Sequence, residues 1–414
     1  MPIKRISVKN FKSFRDLQIS LSPFNVLIGP NGAGKSNFVS IFKFLRDIAR
    51  SGLDNAISMQ GGVEFIRNMK IGAGENLSLE IQANPDHRLL IRKNLSMSIS
   101  EFTYRFELKF HKRGIGFRTT SDRLMMKMQF TEMEMSGKNR LKEKQDLGVG
   151  QMMVENNNGK IKVKLQLPDS VDLHDKHVFP FHFFEEKIPS NAILLETPIF
   201  FIFSLEEIFT RISIYDFDPK LPKKAHPITG KAELEEDGEN LSIVLKRIAE
   251  NKNVRRKLFN LVQDVLPSIS NVKVEKLADK SVLFKIMESY FPGNYLPASL
   301  ISDGTINIIA LIVALYLEKN SLAIIEEPER NIHPSLISKT VDMMREVATR
   351  KQIVVTTHNP EVVKYAGLEN LLFIYRDQDG FSKVERTIDN KLVKAFLKNN
   401  LGIEELFVQN LLGR

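Results

Sequence analysis

The segment Gly29-Pro-Asn-Gly-Ala-Gly-Lys-Ser36 fits the pattern G-x-x-x-x-G-K-[ST]. It follows Phe24–Ile28, a short and largely apolar run that is typical of a buried parallel strand. It leads into Ser36–Arg50, where apolar residues recur every three to four positions as in an amphipathic helix. A strand, a glycine-rich turn and a helix in this order are the context that a phosphate-binding loop requires.

This loop predicts a site for a nucleoside triphosphate. Its glycines let the backbone curl so that consecutive N–H groups cradle the β-phosphate, and the following helix adds its partial positive charge. The Lys35 ammonium is suited to the β- and γ-phosphate oxygens, and the Ser36 hydroxyl is a hard oxygen ligand for Mg²⁺. The alternative, a glycine turn that happens to precede a lysine, does not explain the flanking strand and helix.

A second motif places carboxylates after a buried strand. Leu322-Ala-Ile-Ile-Glu-Glu-Pro-Glu329 has four apolar residues before its acids. Such acids lie at the carboxyl edge of a parallel sheet, where ligands bind in open α/β folds. Glu326 is expected to hold Mg²⁺, directly or through water, and Glu327 to polarise the attacking water as general base. Alone, the pattern also fits a strand followed by a solvated acidic turn.

A third motif is a strand that ends in a histidine, within Ile353-Val-Val-Thr-Thr-His-Asn-Pro360. In a nucleotide enzyme a neutral imidazole at this place can hydrogen-bond the γ-phosphate or the attacking water. A purely structural histidine is the alternative for His358 taken by itself.

The fourth motif, Leu300-Ile-Ser-Asp-Gly-Thr-Ile306, opens a strongly apolar helix. Ser302 and Gly304 would present a hydroxyl and bare N–H groups there, which makes a second anion site, although a simple helix cap is the alternative. A second anion site far along the chain is explained if two chains pair head to tail. Each phosphate loop then faces the partner's Ser302 turn across one ATP.

Taken in chain order, these four motifs resemble the phosphate loop, signature loop, Walker B motif and switch histidine of ABC-type ATPases. The residues of these motifs are more similar to those of the RecF/SMC/OLD branch than to those of transporter subunits. The similarity is carried by Ile6-Ser-Val-Lys-Asn-Phe-Lys-Ser-Phe14, Asn25-Val-Leu-Ile-Gly-Pro-Asn-Gly-Ala-Gly-Lys-Ser-Asn37, Ser302-Asp-Gly-Thr305 and Glu326-Glu-Pro-Glu-Arg-Asn-Ile-His-Pro334. Such spellings are common in prokaryotic ATPases of genome maintenance and anti-phage defence.

The resemblance implies an ATPase with ATP and Mg²⁺ as cofactors and with composite sites in a homodimer or higher even oligomer. The implied ATP-binding residues are Asn31, Gly32, Ala33, Gly34, Lys35, Ser36 and Asn37, with Ser302, Asp303 and Gly304 from a second chain. The implied Mg²⁺ ligands are Ser36 and Glu326, and the implied catalytic residues are Glu327 and His358. Since many ABC proteins have Asp then Glu where this chain has Glu326 then Glu327, the division between metal ligand and base stays open.

The expected fold class is α/β, an ABC-type P-loop ATPase head with an antiparallel β subdomain and a helical insertion. Helices and strands alternate after residue 304, as in a doubly wound parallel sheet. The expected parts are 1–75 (N-terminal half of the head with the phosphate loop), 76–190 (antiparallel strands), 191–265 (helical insertion) and 266–414 (C-terminal half of the head with the other three motifs).

Composition limits the class of protein. The chain has 414 residues, no cysteine and a net charge of +9, which excludes disulfides and thiolate metal sites and favours a polyanionic partner. The two most apolar stretches, Ala192–Leu205 and Ile306–Leu317, are too short for a membrane span. Because no signal peptide precedes the first strand, a cytoplasmic protein without a membrane partner is expected.

Two roles compete at this stage. The first is the ATPase or sensor subunit of an anti-phage or toxin-like system, acting with a nuclease or toxin encoded nearby. The second is a RecF-like DNA repair ATPase that binds DNA; RNA as the target and a regulatory module that never touches nucleic acid also stay open. Residues 359–414 are expected to be too few for the TOPRIM nuclease domain of OLD-type proteins.

Weaker signals have plainer alternatives. Gln60 is a candidate for the ABC Q-loop glutamine, or part of an ordinary turn. A histidine-rich segment fits a metal site or aromatic core packing; it contains His174, His177, His182, Glu185 and Glu186. The basic segments Arg123–Lys144 and Lys252–Lys257 fit phosphate binding or a solvated face.

Overall fold

The computed structural model describes residues 3–85, 87–112, 114, 116–136, 140–171, 188–189 and 191–387. The described chain forms two compact units. Unit 1 is drawn from residues 3–22, 36–212 and 375–384, and unit 2 from residues 23–35, 213–374 and 385–387. Both units are therefore built from sequence-distant segments.

The secondary structure is mixed. The strands are β1 (Ile3–Phe11), β2 (Phe14–Ser20), β3 (Phe24–Ile28), β4 (Leu77–Ala83), β5 (His87–Arg92), β6 (Leu95–Phe110), β7 (Phe117–Ser136), β8 (Arg140–Asn157), β9 (Lys160–Gln166), β10 (Ile212–Tyr215), β11 (His226–Pro227), β12 (Ile269–Lys276), β13 (Ser281–Glu288), β14 (Leu296–Pro297), β15 (Leu322–Glu326), β16 (Gln352–Thr357), β17 (Leu371–Arg376) and β18 (Ser382–Arg386). The α-helices are α1 (Lys35–Ser51), α2 (Leu53–Met59), α3 (Val63–Ile66), α4 (Pro198–Ile202), α5 (Glu206–Thr210), α6 (Leu241–Glu250), α7 (Lys252–Val265), α8 (Asp303–Ile312), α9 (Ile337–Val347) and α10 (Pro360–Ala366). Among these described residues, every helix is too short or too polar to cross a bilayer.

Unit 1 contains a large antiparallel sheet with the order β2-β1-β4-β6-β7-β8-β9, and β5 pairs with β6. The antiparallel strands expected after residue 75 are confirmed for β4 to β9. Helix α1 buries its apolar side on this sheet, since the Phe44 ring centroid lies 6.0 Å from that of Phe11 and 6.4 Å from that of Phe106. The helix expected over Ser36–Arg50 is confirmed within one residue at each end.

Unit 2 contributes the parallel part of a six-stranded sheet with the order β10-β15-β16-β3-β17-β18. Strands β15, β16, β3 and β17 are parallel neighbours, which confirms the parallel sheet expected from the alternation of helices and strands. All five residues of β3 are buried, as its apolar sequence predicts. In the register, Glu326 pairs with Thr356, and Thr356 pairs with Leu27. The ends of β15, β16 and β3 therefore lie side by side at one edge of the sheet.

One expectation for 191–265 is wrong in part. The segment was expected to be helical apart from a loop, but Ile212–Tyr215 forms strand β10 at the edge of the six-stranded sheet, beside β15. Ile212, Ile214 and Tyr215 are buried there, and four residues are too few for the sequence to show the period of a strand. Helices α4 to α7 account for much of the rest of the segment.

A second, smaller sheet in unit 2 consists of β11, β13 and β12, with β14 paired to β13. Its pairings are antiparallel. The two strands expected at Asn271–Leu277 and Val282–Met287 are confirmed as β12 and β13. This sheet precedes α8, the helix that the Ser302 turn opens.

Candidate active site

The turn before α1 has the shape of an anion-binding loop. Gly32 and Gly34 adopt positive φ angles of 77° and 113°, which place the intervening N–H groups in a curled backbone. The Lys35 Nζ atom lies within this curl and donates hydrogen bonds to the carbonyl oxygens of Gly29 at 2.8 Å and Pro30 at 3.3 Å. Helix α1 begins at Lys35, so its N-terminus is at the loop.

The acids after β15 lie at the same sheet edge. Glu326 is the last residue of β15, and the Glu327 N–H donates a 2.8 Å hydrogen bond to the carbonyl of Thr356 on β16. Glu327 has a φ angle of 45°, which is unusual for a residue with a side chain. The Arg330 N–H closes the turn by donating to the Glu327 carbonyl at 2.9 Å. The backbone of Glu327 is therefore fixed on both sides.

The side chain of Glu327 is held by two donors. His358 Nδ1 lies 2.8 Å from Oε1, and Arg330 Nη2 lies 3.2 Å from Oε2. With Nδ1 donating to the carboxylate, His358 has its Nε2 atom left to accept a hydrogen bond. The predicted catalytic pair Glu327 and His358 is thus in direct contact, and Arg330 is a third member that the sequence analysis did not identify.

The electrostatics connect the acids to the phosphate loop. Burial raises the pKa of Glu327, but the hydrogen bonds and charges of Arg330 and His358 outweigh it and leave that pKa below the ordinary value. Burial lowers the pKa of the Lys35 ammonium, and the carboxylates of Glu327, Glu326 and Glu329 oppose this. These three acids are therefore close enough to act on Lys35, and an ionised Glu327 can accept a proton.

Glu329 is a second residue that the sequence analysis left without a role. Only 8% of it is exposed, and burial raises the pKa of its carboxyl. Its Oε1 accepts a 2.5 Å hydrogen bond from the Thr357 hydroxyl, and its Oε2 has no hydrogen-bond partner among the described residues. Its signal in the sequence was the third acid of Glu-Glu-Pro-Glu. The edge thus offers three carboxylates, which are the hard oxygen donors that Mg²⁺ prefers.

The Ser302 turn forms the N-terminus of α8. The Ser302 Oγ atom accepts a hydrogen bond from the Thr305 N–H at 3.2 Å, so the helix cap exists as the plainer alternative predicts. Asp303 forms an ion pair with Lys223 at 2.5 Å. A Cβ atom on Gly304 would lie 2.5 Å from the Asn331 carbonyl oxygen, so glycine is required by this close approach. The role of these residues towards a partner's ATP stays a prediction.

The remaining predicted residues have simpler surroundings. Asn31 and Ser36 are exposed, and Asn37 is half-buried. Gln60 lies in the turn that ends α2, where its N–H donates to the Ala56 carbonyl, in keeping with the turn alternative. The histidines at 174, 177 and 182, with Glu185 and Glu186, lie outside the described residues.

Comparisons with known proteins give the family. Residues 1–363 match the family model of the AAA ATPase domain. The chain belongs to this family. It is an AAA ATPase, and the resemblance to the RecF/SMC branch is in keeping with the relatives that it is similar to.

Sequence relatives of this AAA ATPase cover short parts of it. It is 36% identical over 110 residues to the structural maintenance of chromosomes protein 3 of Saccharomyces cerevisiae. This aligned segment covers 25% of this chain and 9% of that protein. It is 29% identical over 98 residues to the DNA replication and repair protein RecF of Actinobacillus pleuropneumoniae serotype 5b. This aligned segment covers 23% of this chain and 27% of RecF. The matches therefore span well under half of either relative.

The fold is shared over a much larger part of the chain. The crystal structure of an SMC head bound to the C-winged helix domain of ScpA matches with a TM-score of 0.50 and 14% identity, over 93% of this chain and 98% of that chain. The expected fold, an ABC-type head with a large antiparallel sheet, is confirmed.

Proposed function

We propose that this ATPase hydrolyses ATP slowly at the edge formed by β3, β16 and β15, and that hydrolysis serves as a switch. The contact of His358 with Glu327 carries the proposal, together with the action of the Glu327 charge on Lys35. Lys35 binds the β- and γ-phosphates within the curled loop. Glu327 accepts a proton from water, whose oxygen bonds to the γ-phosphorus as the bridging bond breaks, leaving ADP and phosphate.

Mg²⁺ is part of the proposal because the donor set fits it. The Ser36 hydroxyl and the Glu326 carboxylate are hard oxygen ligands, and the buried Oε2 of Glu329 adds a further oxygen that lacks a partner among the described residues. When bound, Mg²⁺ neutralises charge that develops on the phosphates. Ser36 and Glu326 would hold it. His358 Nε2 would accept a hydrogen bond from the attacking water, or, when the imidazole carries both protons, donate one to the γ-phosphate.

A head-to-tail dimer is the form in which we propose that ATP acts. The Ser302 turn opens α8 with a hydroxyl at a helix N-terminus, which suits the γ-phosphate bound to a partner's loop. The carboxylate of Asp303 would repel that phosphate, but Lys223 neutralises it. ATP binding then closes the dimer, and hydrolysis releases it.

The dimer proposal is tested by measuring molar mass in solution with and without ATP and Mg²⁺. The Glu327→Gln variant is expected to double its mass with ATP and to stay paired, because ATP binds but is not cleaved. Its mass with ADP is expected to stay that of the monomer. A Glu327→Gln chain that binds ATP and remains monomeric would contradict the head-to-tail scheme.

We further propose that the dimer is the ATPase or sensor subunit of an anti-phage or toxin-like complex with a separate effector protein. The support is the similarity of Glu326-Glu-Pro-Glu-Arg-Asn-Ile-His-Pro334 to motifs of such prokaryotic ATPases. Purification together with the product of the neighbouring gene tests it. An ATP-dependent complex with a nuclease or toxin is the expected result, and a neighbour that neither binds nor alters ATPase activity would contradict it.

A RecF-like role in DNA maintenance is the second candidate. The sequence similarity to a protein named for DNA replication and repair, and to one named for chromosome maintenance, favours it. The net charge of +9 is compatible with a polyanionic partner. This role predicts that DNA stimulates the ATPase and that the stimulation falls steeply with salt. An ATPase rate that is unchanged by DNA at low salt would exclude it.

A further inference from the structure

The guanidinium of Arg330 lies between two carboxylates of unit 2. Its Nη2 atom is 3.2 Å from Glu327 Oε2, and its Nη1 atom is 2.8 Å from Asp216 Oδ1 and 3.4 Å from the Phe217 carbonyl oxygen. Asp216 directly follows β10, the strand that the sequence did not predict. The arginine therefore links the end of β10 to the carboxylate proposed as the general base.

The backbone of Arg330 is anchored as well. Its carbonyl oxygen accepts a 2.6 Å hydrogen bond from the Asn307 side chain of α8. The next carbonyl, that of Asn331, lies so close to Gly304 that a Cβ atom could not fit between them. Arg330 is thus held at both ends, by α8 at its main chain and by Asp216 at its head group.

A role in stability alone does not account for this arrangement. The side chain of Arg330 is 40% exposed, and exposed ion pairs contribute little to stability. A role in orienting the Glu327 carboxylate does account for it. A glutamate side chain has three torsions, and a general base must be placed to well within 1 Å. With His358 on Oε1 and Arg330 on Oε2, both oxygens of Glu327 are fixed.

We propose that Arg330, anchored by Asp216, is a positioning residue that holds the Glu327 carboxylate in the orientation in which it accepts the proton of the attacking water. The proposal rests on the proposed role of Glu327 and extends it. Arg330 does not touch the phosphates in this scheme, so its loss affects the rate of the chemical step and leaves ATP binding intact.

The first test compares kcat and KM for ATP in Arg330→Met, Arg330→Lys and Asp216→Asn. Arg330→Met is expected to lower kcat by about ten- to a hundredfold with KM unchanged within about twofold, since misplacement of a catalytic group acts on the chemical step. Arg330→Lys restores part of the rate because it keeps a donor, and Asp216→Asn gives a smaller loss.

A matched control is Arg345→Met. Arg345 also forms an i,i+3 ion pair, with Asp342 at 3.1 Å, and its side chain is 45% exposed, but its partner has no catalytic role. Its kcat is expected to equal that of the unmodified protein, although the loss of the hydrogen bonds from Arg345 to the Tyr365 and Ala366 carbonyls lowers the thermal midpoint. An Arg330→Met chain that loses activity only in proportion to a lowered thermal midpoint would overturn the positioning role.

The second test places Arg330→Met in a Glu327→Gln background. If Arg330 acts through Glu327, the double variant is as slow as Glu327→Gln alone. If Arg330→Met instead lowers the rate of Glu327→Gln by the same factor as it lowers the rate of the unmodified chain, Arg330 acts independently of Glu327 and the proposal is overturned. A normal rate for Arg330→Met beside an inactive Glu327→Gln overturns the Arg330 role alone. A normal rate for Glu327→Gln overturns the general base itself.

Discussion

Glu327 in unit 2 is a half-buried carboxylate, and Asp122 in unit 1 is a fully buried one. The hydrogen-bond donors around them differ in charge. Glu327 lies beside Arg330 and His358, and these donors hold its pKa below the ordinary value despite burial. Asp122, on β7, is 2% exposed and accepts hydrogen bonds from the Tyr104 hydroxyl, the Asn156 amide and the Leu194 N–H. All of these donors are neutral, and burial raises the pKa of Asp122 to about 7.

The difference lies in the charge of the donors, which suits the proposed catalytic role of Glu327 and a structural role of Asp122. The partners of Asp122 hold the segment around Leu194 on the antiparallel sheet, and Asn156 also donates to the Ala192 carbonyl at 3.2 Å. Burial raises the pKa of Asp122 and outweighs its three hydrogen bonds, which favour the ionised carboxylate. At Glu327 a cationic donor keeps the carboxylate charged, which is what a proton acceptor requires.

The largest predicted effects are a loss of activity when Glu327 is changed and a loss of stability when Asp122 is changed. Glu327→Gln is expected to lower kcat by about a hundredfold or more, with the free energy of unfolding nearly unchanged, because it removes the proton acceptor and keeps the side-chain shape. Asp122→Asn is expected to do the reverse, with a lower unfolding free energy and a kcat within about twofold, because an amide cannot accept all of these hydrogen bonds. Steady-state ATPase assays and urea unfolding measure both. A Glu327→Gln chain that keeps its rate but loses stability would break the comparison.

A smaller predicted effect concerns pH. The pKa of Asp122 is about 7 in the folded chain against an ordinary value of 3.8. Between these values the folded state keeps a proton that the unfolded state releases, so stability falls as pH rises, at most by about 1.4 kcal/mol per pH unit. The unfolding free energies of the natural chain and Asp122→Asn are therefore expected to converge from pH 5 to pH 8. A gap that stays constant over this range would mean that Asp122 is already ionised in the fold at pH 5.

The sequence predicts the parts of the site that local patterns encode. The run Phe24–Ile28 is buried strand β3, and Leu322–Glu326 is β15, because short apolar runs bounded by turn residues are typical of buried parallel strands. Once these strands are parallel neighbours, Glu327 and His358 meet at their carboxyl ends. Local sequence therefore predicts these strands and the residues at their ends, whereas the contact between Glu327 and His358 depends on which strands are neighbours.

The parts that the sequence did not predict depend on pairing between distant segments. Asp216 meets Arg330 across more than a hundred residues of chain, and the strand before it, β10, has only four residues. No periodicity can be read over so short a run. The Asp122 network likewise draws Tyr104, Asn156 and Leu194 from separate elements. Such contacts are set by tertiary packing, which leaves no local signature.

The central claim is that one ATP is bound by the Lys35 loop of one chain and the Ser302 turn of another. Lys35→Ala removes the phosphate contact, and Ser302→Arg blocks the turn, so each variant alone is expected to be inactive while keeping its thermal midpoint within a few degrees. The direct measurement is the ATPase rate of an equal mixture of the two. The mixture is expected to recover up to about a quarter of the natural rate, since half of the dimers are mixed and each has one intact site of two. A mixture as inactive as its components would contradict the shared site.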